Sequence, residues 1–200
     1  NDRAAVRMKR QQREALAHLS AFAMADEPLA PYTTYRVGGA AAVFVAPRNT
    51  DDLYLVADVV RDTGLATLVI GRGSNLLVAD GGFAGIAISL AAMAEWVTFD
   101  DVTVHAGAAM ALPVLARRCV AMGLVGFEWA VGVPGSVGGA VRMNAGGHGS
   151  DVAASLVGVQ LLDLRTAGHG WVPAEQLRLR FRGSDIGDHQ VVLDARLRLQ

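Results

Sequence analysis

Two hydrophobic periods run along the chain. Leu53, Leu55, Val56, Val59 and Val60 recur at helical spacing behind Asn49-Thr50-Asp51, a natural N-cap, and the pattern stops at Gly64. A second amphipathic helix is predicted over residues 111–122, closed by Gly123. Short apolar runs rich in β-formers predict strands at 41–46, 67–70, 76–79, 86–90, 102–106, 156–164, 170–172 and 191–199. Residues 1–25 read as helical and poorly anchored. The mixture predicts an α+β organisation in two lobes that divide between Met93 and Asp101. No internal repeat of fixed period is visible.

Composition narrows the class. The chain has 200 residues, a hydrophobic content of 52% and a formal net charge of −1, which excludes a disordered chain and a broad nucleic-acid surface. Charge is uneven, because Arg3, Arg7, Lys9, Arg10 and Arg13 crowd the start. That cluster reads as a solvated helical extension or a start-site artefact rather than a nucleic-acid or targeting arm. No apolar signal core follows it, and no run is long enough to span a membrane. The lone Cys119 sits among Val114, Leu115, Val120 and Met122 as a core residue, and no internal disulfide is possible. A cytoplasmic protein without nucleic-acid or membrane partners is expected.

Candidate chemistry lies in two glycine clusters. Residues 131–149 hold seven glycines among Val, Ala and Met, with no charge but Arg142 and His148. Such a run suits backbone pressed against something large, either in turns and close crossings or as a cradle for an anionic cofactor. The strand at 67–70 feeds directly into Gly71-Arg72-Gly73-Ser74-Asn75, the pattern of a phosphate-binding turn. A dinucleotide fingerprint requires a third glycine where Leu76 stands, and a P-loop requires a lysine, whereas the only lysine is Lys9. Both common nucleotide motifs fail.

Five segments in order carry a resemblance. They are Tyr32-Thr33-Thr34-Tyr35-Arg36-Val37-Gly38-Gly39, Gly71 to Leu77, Gly126 to Gly139, Met143-Asn144-Ala145-Gly146-Gly147-His148-Gly149, and Leu179-Arg180-Phe181-Arg182-Gly183-Ser184. Together, over residues 29–199, they resemble the UDP-N-acetylmuramate dehydrogenase family of flavoenzymes, also called UDP-N-acetylenolpyruvoylglucosamine reductases. The resemblance implies an α+β, two-lobed FAD-binding fold of the vanillyl-alcohol-oxidase/PCMH type. Its division would be a basic extension at 1–28, one lobe at 29–95 and a second at 96–200.

FAD is expected to be noncovalent, since Ser74-Asn75 stand where some relatives of the wider fold tether flavin through His. Neutral amides from Gly71, Arg72, Gly73, Ser74, Asn75 and Leu76 would bind the pyrophosphate without a buried countercharge. Gly132, Pro134, Gly135, Ser136, Val137, Gly138 and Gly139 would form the facing wall. Asn144 and Gly146 would meet the cofactor's polar edge, although Asn144 equally fits a left-handed turn.

In this family NADPH reduces the flavin, which passes a hydride to UDP-GlcNAc-enolpyruvate to give UDP-N-acetylmuramate for peptidoglycan. Arg182 aligns with the arginine that steadies the enol-like intermediate and its carboxylate, with Phe181 in place of the usual tyrosine. A monomer acting on a UDP-sugar and NADPH is expected. The family's C-terminal substrate domain, with its proton-donor serine, has no counterpart before Gln200. The chain is therefore expected to be the flavin-binding part of a longer enzyme, a natural two-lobe relative being the alternative.

Two other functions stay open, a flavin oxidoreductase with another substrate and a non-catalytic FAD-binding module. No metal is expected, because His18, His105, His169 and His189 lack ligand spacing. His148 could edge the flavin or sit in a solvated turn. Glu128 is read as a structural acceptor for nearby glycine backbone.

Overall fold

The computed structural model describes residues 8–200. Local chemistry sets the first lobe's long helix, α2 (Thr50–Thr63). Asn49 caps it by accepting the Asp52 N–H at 2.9 Å, and Gly64 ends it in the left-handed region at φ 65°. Asp52 in turn accepts from the backbone and guanidinium of Arg48, both at 2.9 Å. The Arg48 hydrogen bonds hold the Asp52 carboxyl below the ordinary carboxylate range.

Four strands complete this lobe: β1 (Ala23–Pro28), β2 (Ala40–Val45), β3 (Thr67–Ile70) and β4 (Phe83–Ser89). They lie in the order β1-β2-β4-β3, with β1 antiparallel to β2 and the other pairs parallel. Alternation along β2 sends Val43 and Val45 toward Leu53, Val56 and Val60 of α2, and Phe44 toward Leu29, Ile70 and Val78. The strand expected at 76–79 is not formed. β4 is already paired on both edges, so the crossover from β3 passes outside the sheet. There the Gly39 N–H donates to the Ala79 carbonyl at 2.9 Å.

The expectation of a poorly anchored, wholly helical segment at 1–25 needs correction. Helix α1 (Arg10–His18) packs on α2, and β1 follows it in register with β2. Ala15 and Leu19 are fully buried, and the Gln12 side chain donates to the Ala84 carbonyl at 3.0 Å. Only these few contacts anchor a strongly polar segment, so a hydrophobic pattern understates them. Residues 10–28 thus belong to the first lobe, while Arg3 and Arg7 lie outside the described residues.

The second lobe is an antiparallel sheet in the order β10-β9-β11-β6-β5, from β5 (Val97–Asp100), β6 (Thr103–Gly107), β9 (Leu156–Asp163), β10 (His169–Pro173) and β11 (Gln190–Arg198). A small hairpin, β7 (Gly146–Gly147) and β8 (Ser150–Asp151), precedes β9. Its core is sealed by α3 (Leu112–Ala121) and α4 (Val137–Met143). Strand β5, which the sequence did not suggest, makes a tight hairpin with β6 through Asp101 at φ 49°. Cys119 is a core residue, and burial pushes its thiol up to about 11. No helix among the described residues is long and apolar enough to cross a membrane.

The lobes join through residues 90–96 and through cross-lobe bonds. Thr67 donates its hydroxyl to the Asp188 carbonyl at 2.8 Å, and the Tyr54 hydroxyl meets His169 Nδ1 at 2.9 Å. Leu19→Ala should lower unfolding free energy by about 2–5 kcal/mol in urea titration. An unanchored extension would lose almost nothing.

Asp194 of β11 carries a buried Oδ1 that has no hydrogen-bond partner among the described residues and lies 3.9 Å from His105 Nε2. Burial pushes its carboxyl above the usual range, and His105 and Arg196 only partly oppose this. The charged form therefore costs stability above that raised value and nothing while both folded and unfolded chains are protonated. Asp194→Asn should stabilise the protein at neutral pH, with the gain fading as pH falls into the carboxylate range. A pH series of melting temperatures checks this.

Candidate functional site

The two glycine clusters meet where the lobes join. Strand β3 ends at Ile70, and the chain turns through Gly71 to Asn75. Gly73 takes φ 65°, where an added Cβ would strike the Tyr32 carbonyl oxygen. The Gly73 carbonyl is fixed by the Thr34 N–H at 3.1 Å, and the Ser74 hydroxyl donates across the joint to the Pro134 carbonyl at 3.2 Å. Among the described residues, the backbone N–H groups of Arg72, Gly73, Ser74 and Asn75 donate to no protein acceptor. Four neighbouring amides therefore remain available to an anion.

The second cluster works differently. At the start of α4 its amides are engaged: Val137 N–H donates to Met110 and Gly138 N–H to Ala108, both at 2.9 Å, and Ser136 Oγ caps α4 by accepting from Gly139 at 3.4 Å. What this run offers is bare surface. Pro134, Gly135, Ser136 and Gly139 line one wall of a cavity of about 940 Å³, whose other wall is Gly71 through Leu76. Asn144, Gly146 and Arg182 also line it. Gly132, Val137 and Gly138, expected in the site, do not. The helical period of α4 turns Ser136, Gly139, Ala140 and Met143 to the cavity and buries Val137 in the core. A Cβ on Gly138 would lie 2.9 Å from that of Ala108, so this glycine serves packing. Gly132 instead faces the ring of His148.

Asn144 ends α4 at φ 39°, and its side chain is almost fully engaged. Nδ2 donates to Asp151 Oδ2 at 2.9 Å and to the Arg180 carbonyl at 3.3 Å, while Oδ1 accepts from Ala153 N–H at 3.0 Å. The left-handed turn expected as one of its two roles is thus present, and no donor is left over for a cofactor. Glu128 is structural as well, accepting the Gly126 N–H at 2.8 Å.

Most arginines at the mouth have a carboxylate beside them. Arg142 pairs with Asp188 and holds that carboxyl below the usual range. Arg180 pairs with Asp185 at 2.7 Å, Arg178 with Asp185 at 3.6 Å, and Arg72 with Glu95 at 3.6 Å. Arg182, exposed on the turn from Arg180 to Gly183, has no such partner among the described residues. Beside it Phe181 is 92% exposed at the cavity's edge. Arg142, Met143, Asp151 and Asp188 also reach this cavity and were missed. Arg142, a lone charge within an apolar run, was the one readable signal among them. A second cavity of about 450 Å³ adjoins the far side of the first turn, sharing Ile70, Gly71 and Arg72.

Comparison with known proteins agrees with this geometry. The model of a family described as FAD binding domain matches residues 41–168. The UDP-N-acetylenolpyruvoylglucosamine reductase of Bacillus subtilis (strain 168) is 40% identical over 179 residues, covering 88% of this chain and 59% of its own length. That of Synechococcus sp. (strain RCC307) is 41% identical, covering 88% and 58%. The chain thus spans about three-fifths of the curated relatives it matches. The crystal structure of UDP-N-acetylenolpyruvylglucosamine reductase from Thermus caldophilus superposes with a TM-score of 0.73 at 31% identity, over 89% of this chain and 61% of that one. An alkyldihydroxyacetonephosphate synthase shares the fold at a TM-score of 0.63 and 16% identity.

Gly73→Ala should weaken FAD binding about tenfold or more, because left-handed strain of about 1–3 kcal/mol displaces the free amides. Titration with FAD measures this. Gly64→Ala, at the same φ of 65° but with nothing within 4 Å, should leave the affinity unchanged.

Proposed function

The chain belongs to the FAD binding domain family, and from that premise we propose that it is the flavin-holding part of a UDP-N-acetylenolpyruvoylglucosamine reductase. The activity would be NADPH-dependent reduction of UDP-GlcNAc-enolpyruvate to UDP-N-acetylmuramate, a step in making peptidoglycan precursors. One observation carries the reading: Arg72 to Asn75, whose four backbone amides donate to no protein acceptor among the described residues, line the same cavity as Gly135, Ser136 and Gly139. This is chemistry for a flat cofactor with a pyrophosphate, held without a lysine.

Each residue then has a role. Arg72 through Asn75 would bind the pyrophosphate through backbone N–H groups, which carry partial positive charge and need no desolvated cation. Gly135, Ser136 and Gly139 would keep side chains clear of the flavin. FAD, when bound, would supply the hydride-transfer chemistry between NADPH and the enolpyruvyl double bond. Arg182 would hold the substrate carboxylate and favour negative charge that develops there, since its guanidinium is permanently charged and not neutralised by a neighbour. Arg142, bound to Asp188, is a poorer candidate for that task. Phe181 supplies only an apolar edge beside it. We place the enzyme in the cytoplasm as a monomer, using NADPH and a UDP-sugar as small-molecule partners.

Purified chain mixed with FAD and desalted should keep the visible flavin absorbance, and NADPH should bleach it under anaerobic conditions. A colourless product would overturn the assignment. In a chain extended to the length of the relatives, UDP-GlcNAc-enolpyruvate should restore the colour. Bleaching without restoration would favour another substrate. Arg182→Ala should retain flavin and its bleaching yet slow restoration by about 10²–10³-fold, the usual cost of removing one preorganised charge stabiliser.

A further inference from the structure

We propose that Asn144 is a positioning residue that holds Arg182 at the cavity mouth, rather than a cofactor ligand. The inference rests on the reading of Arg182 given above. Its starting point is that an exposed arginine on a turn has no reason to stay put. Arg182 itself sits at φ 55°, a conformation that costs a non-glycine residue free energy and persists only when its surroundings enforce it. The turn's own restraint is one reciprocal pair, Arg180 N–H to the Gly183 carbonyl at 2.9 Å and Gly183 N–H to the Arg180 carbonyl at 3.1 Å.

The Arg180 carbonyl also accepts from Asn144 Nδ2 at 3.3 Å. That bond ties the turn to a rigid point. Asn144 is only 7% exposed, and its orientation is fixed from two other directions. The Ala153 N–H can bond only to an oxygen, so Oδ1 faces it at 3.0 Å and Nδ2 must face Asp151 and Arg180. A second tie runs alongside, from the Ser184 hydroxyl to the Arg142 carbonyl at 2.7 Å. The end of α4, the β7–β8 hairpin and the Arg182 turn are therefore locked through one carboxamide. Its left-handed backbone suits Asn, and Asp nearly as well.

The swap Asn144→Asp with Asp151→Asn tests this link, because it replaces the donor to the Arg180 carbonyl by an acceptor. The residue at 144 still accepts from Ala153, and the side chain at 151 becomes the donor between the two, but nothing donates to Arg180. In hydrogen exchange, the Arg180 and Gly183 amides should exchange about tenfold faster in the swap, matching one lost local bond. The Ala153 amide, the β7–β8 pair and the urea midpoint should not change, and FAD affinity should stay within about threefold. Asn144→Ala should accelerate the turn and Ala153 together.

A turn with unchanged exchange beside a weakened FAD affinity would make Asn144 a cofactor contact and overturn the proposal. Faster exchange throughout, with a lower urea midpoint, would reduce Asn144 to a general structural role and equally overturn it. These readouts do not depend on what Arg182 does. If Arg182→Ala left flavin reoxidation intact, the catalytic reading would fail while the exchange data still reported whether Asn144 holds the turn.

Discussion

Everything at this joint depends on how closely two backbones can approach. Ser74 reaches Pro134 across the lobes, and Ser136 Oγ occupies the space where Gly71 would otherwise carry a Cβ. An added Cβ at Gly71 would strike Ser136 Oγ, and one at Gly135 would meet Ser74 Oγ at 3.2 Å, both across the joint. The close approach also decides which hydrogen bonds are possible. In the second run the start of α4 packs inward, and its Val137 and Gly138 amides find partners in Met110 and Ala108. The first turn lies at the cavity surface and could leave its amides unspent. Two similar-looking glycine stretches thus differ in how their backbone is used.

This division explains what was legible in the amino-acid pattern and what was not. The ends of α2 were readable because a cap and a left-handed stop are local chemistry, and Asn49 and Gly64 perform both. The turn after β3 was readable for the same reason, as a strand running into small residues. Harder to read were features that depend on a partner far along the chain. Residues 76–79 look like a strand, yet β4 had no free edge for them. Strand β1 looks too polar to be a strand, but β2 needed a neighbour. Gly138 was indistinguishable by sequence from Gly139. Only the facing of α4 against Ala108 separates a packing glycine from a cavity glycine.

The same reasoning applies to polar residues. Asn144 stands in a glycine-rich motif and invites assignment to the cofactor, but its capacity is counted out by Asp151, Ala153 and Arg180. A buried amide whose donors are both engaged would forfeit one of those bonds to gain a ligand contact, at about 1–3 kcal/mol for the group left unpaired. Those bonds are better understood as rigidity delivered to a neighbouring loop.

Arg182 shows why that rigidity matters. Four other arginines near the mouth or the first turn have a carboxylate beside them, Arg178 and Arg180 sharing Asp185, which weakens their fields at short range. An uncancelled guanidinium on the rim of a partly enclosed cavity acts through a lower effective dielectric than one in bulk water, and its pull on an anion rises accordingly. The gain lasts only if the charge keeps its place, because a mobile arginine would turn outward to solvent and spend the interaction on water. Fixing the turn through a buried amide, while giving Arg182 itself no competing anion, preserves both conditions. Positioning and charge are thus assigned to separate residues, which leaves the guanidinium's hydrogen-bond donors available to whatever the cavity receives.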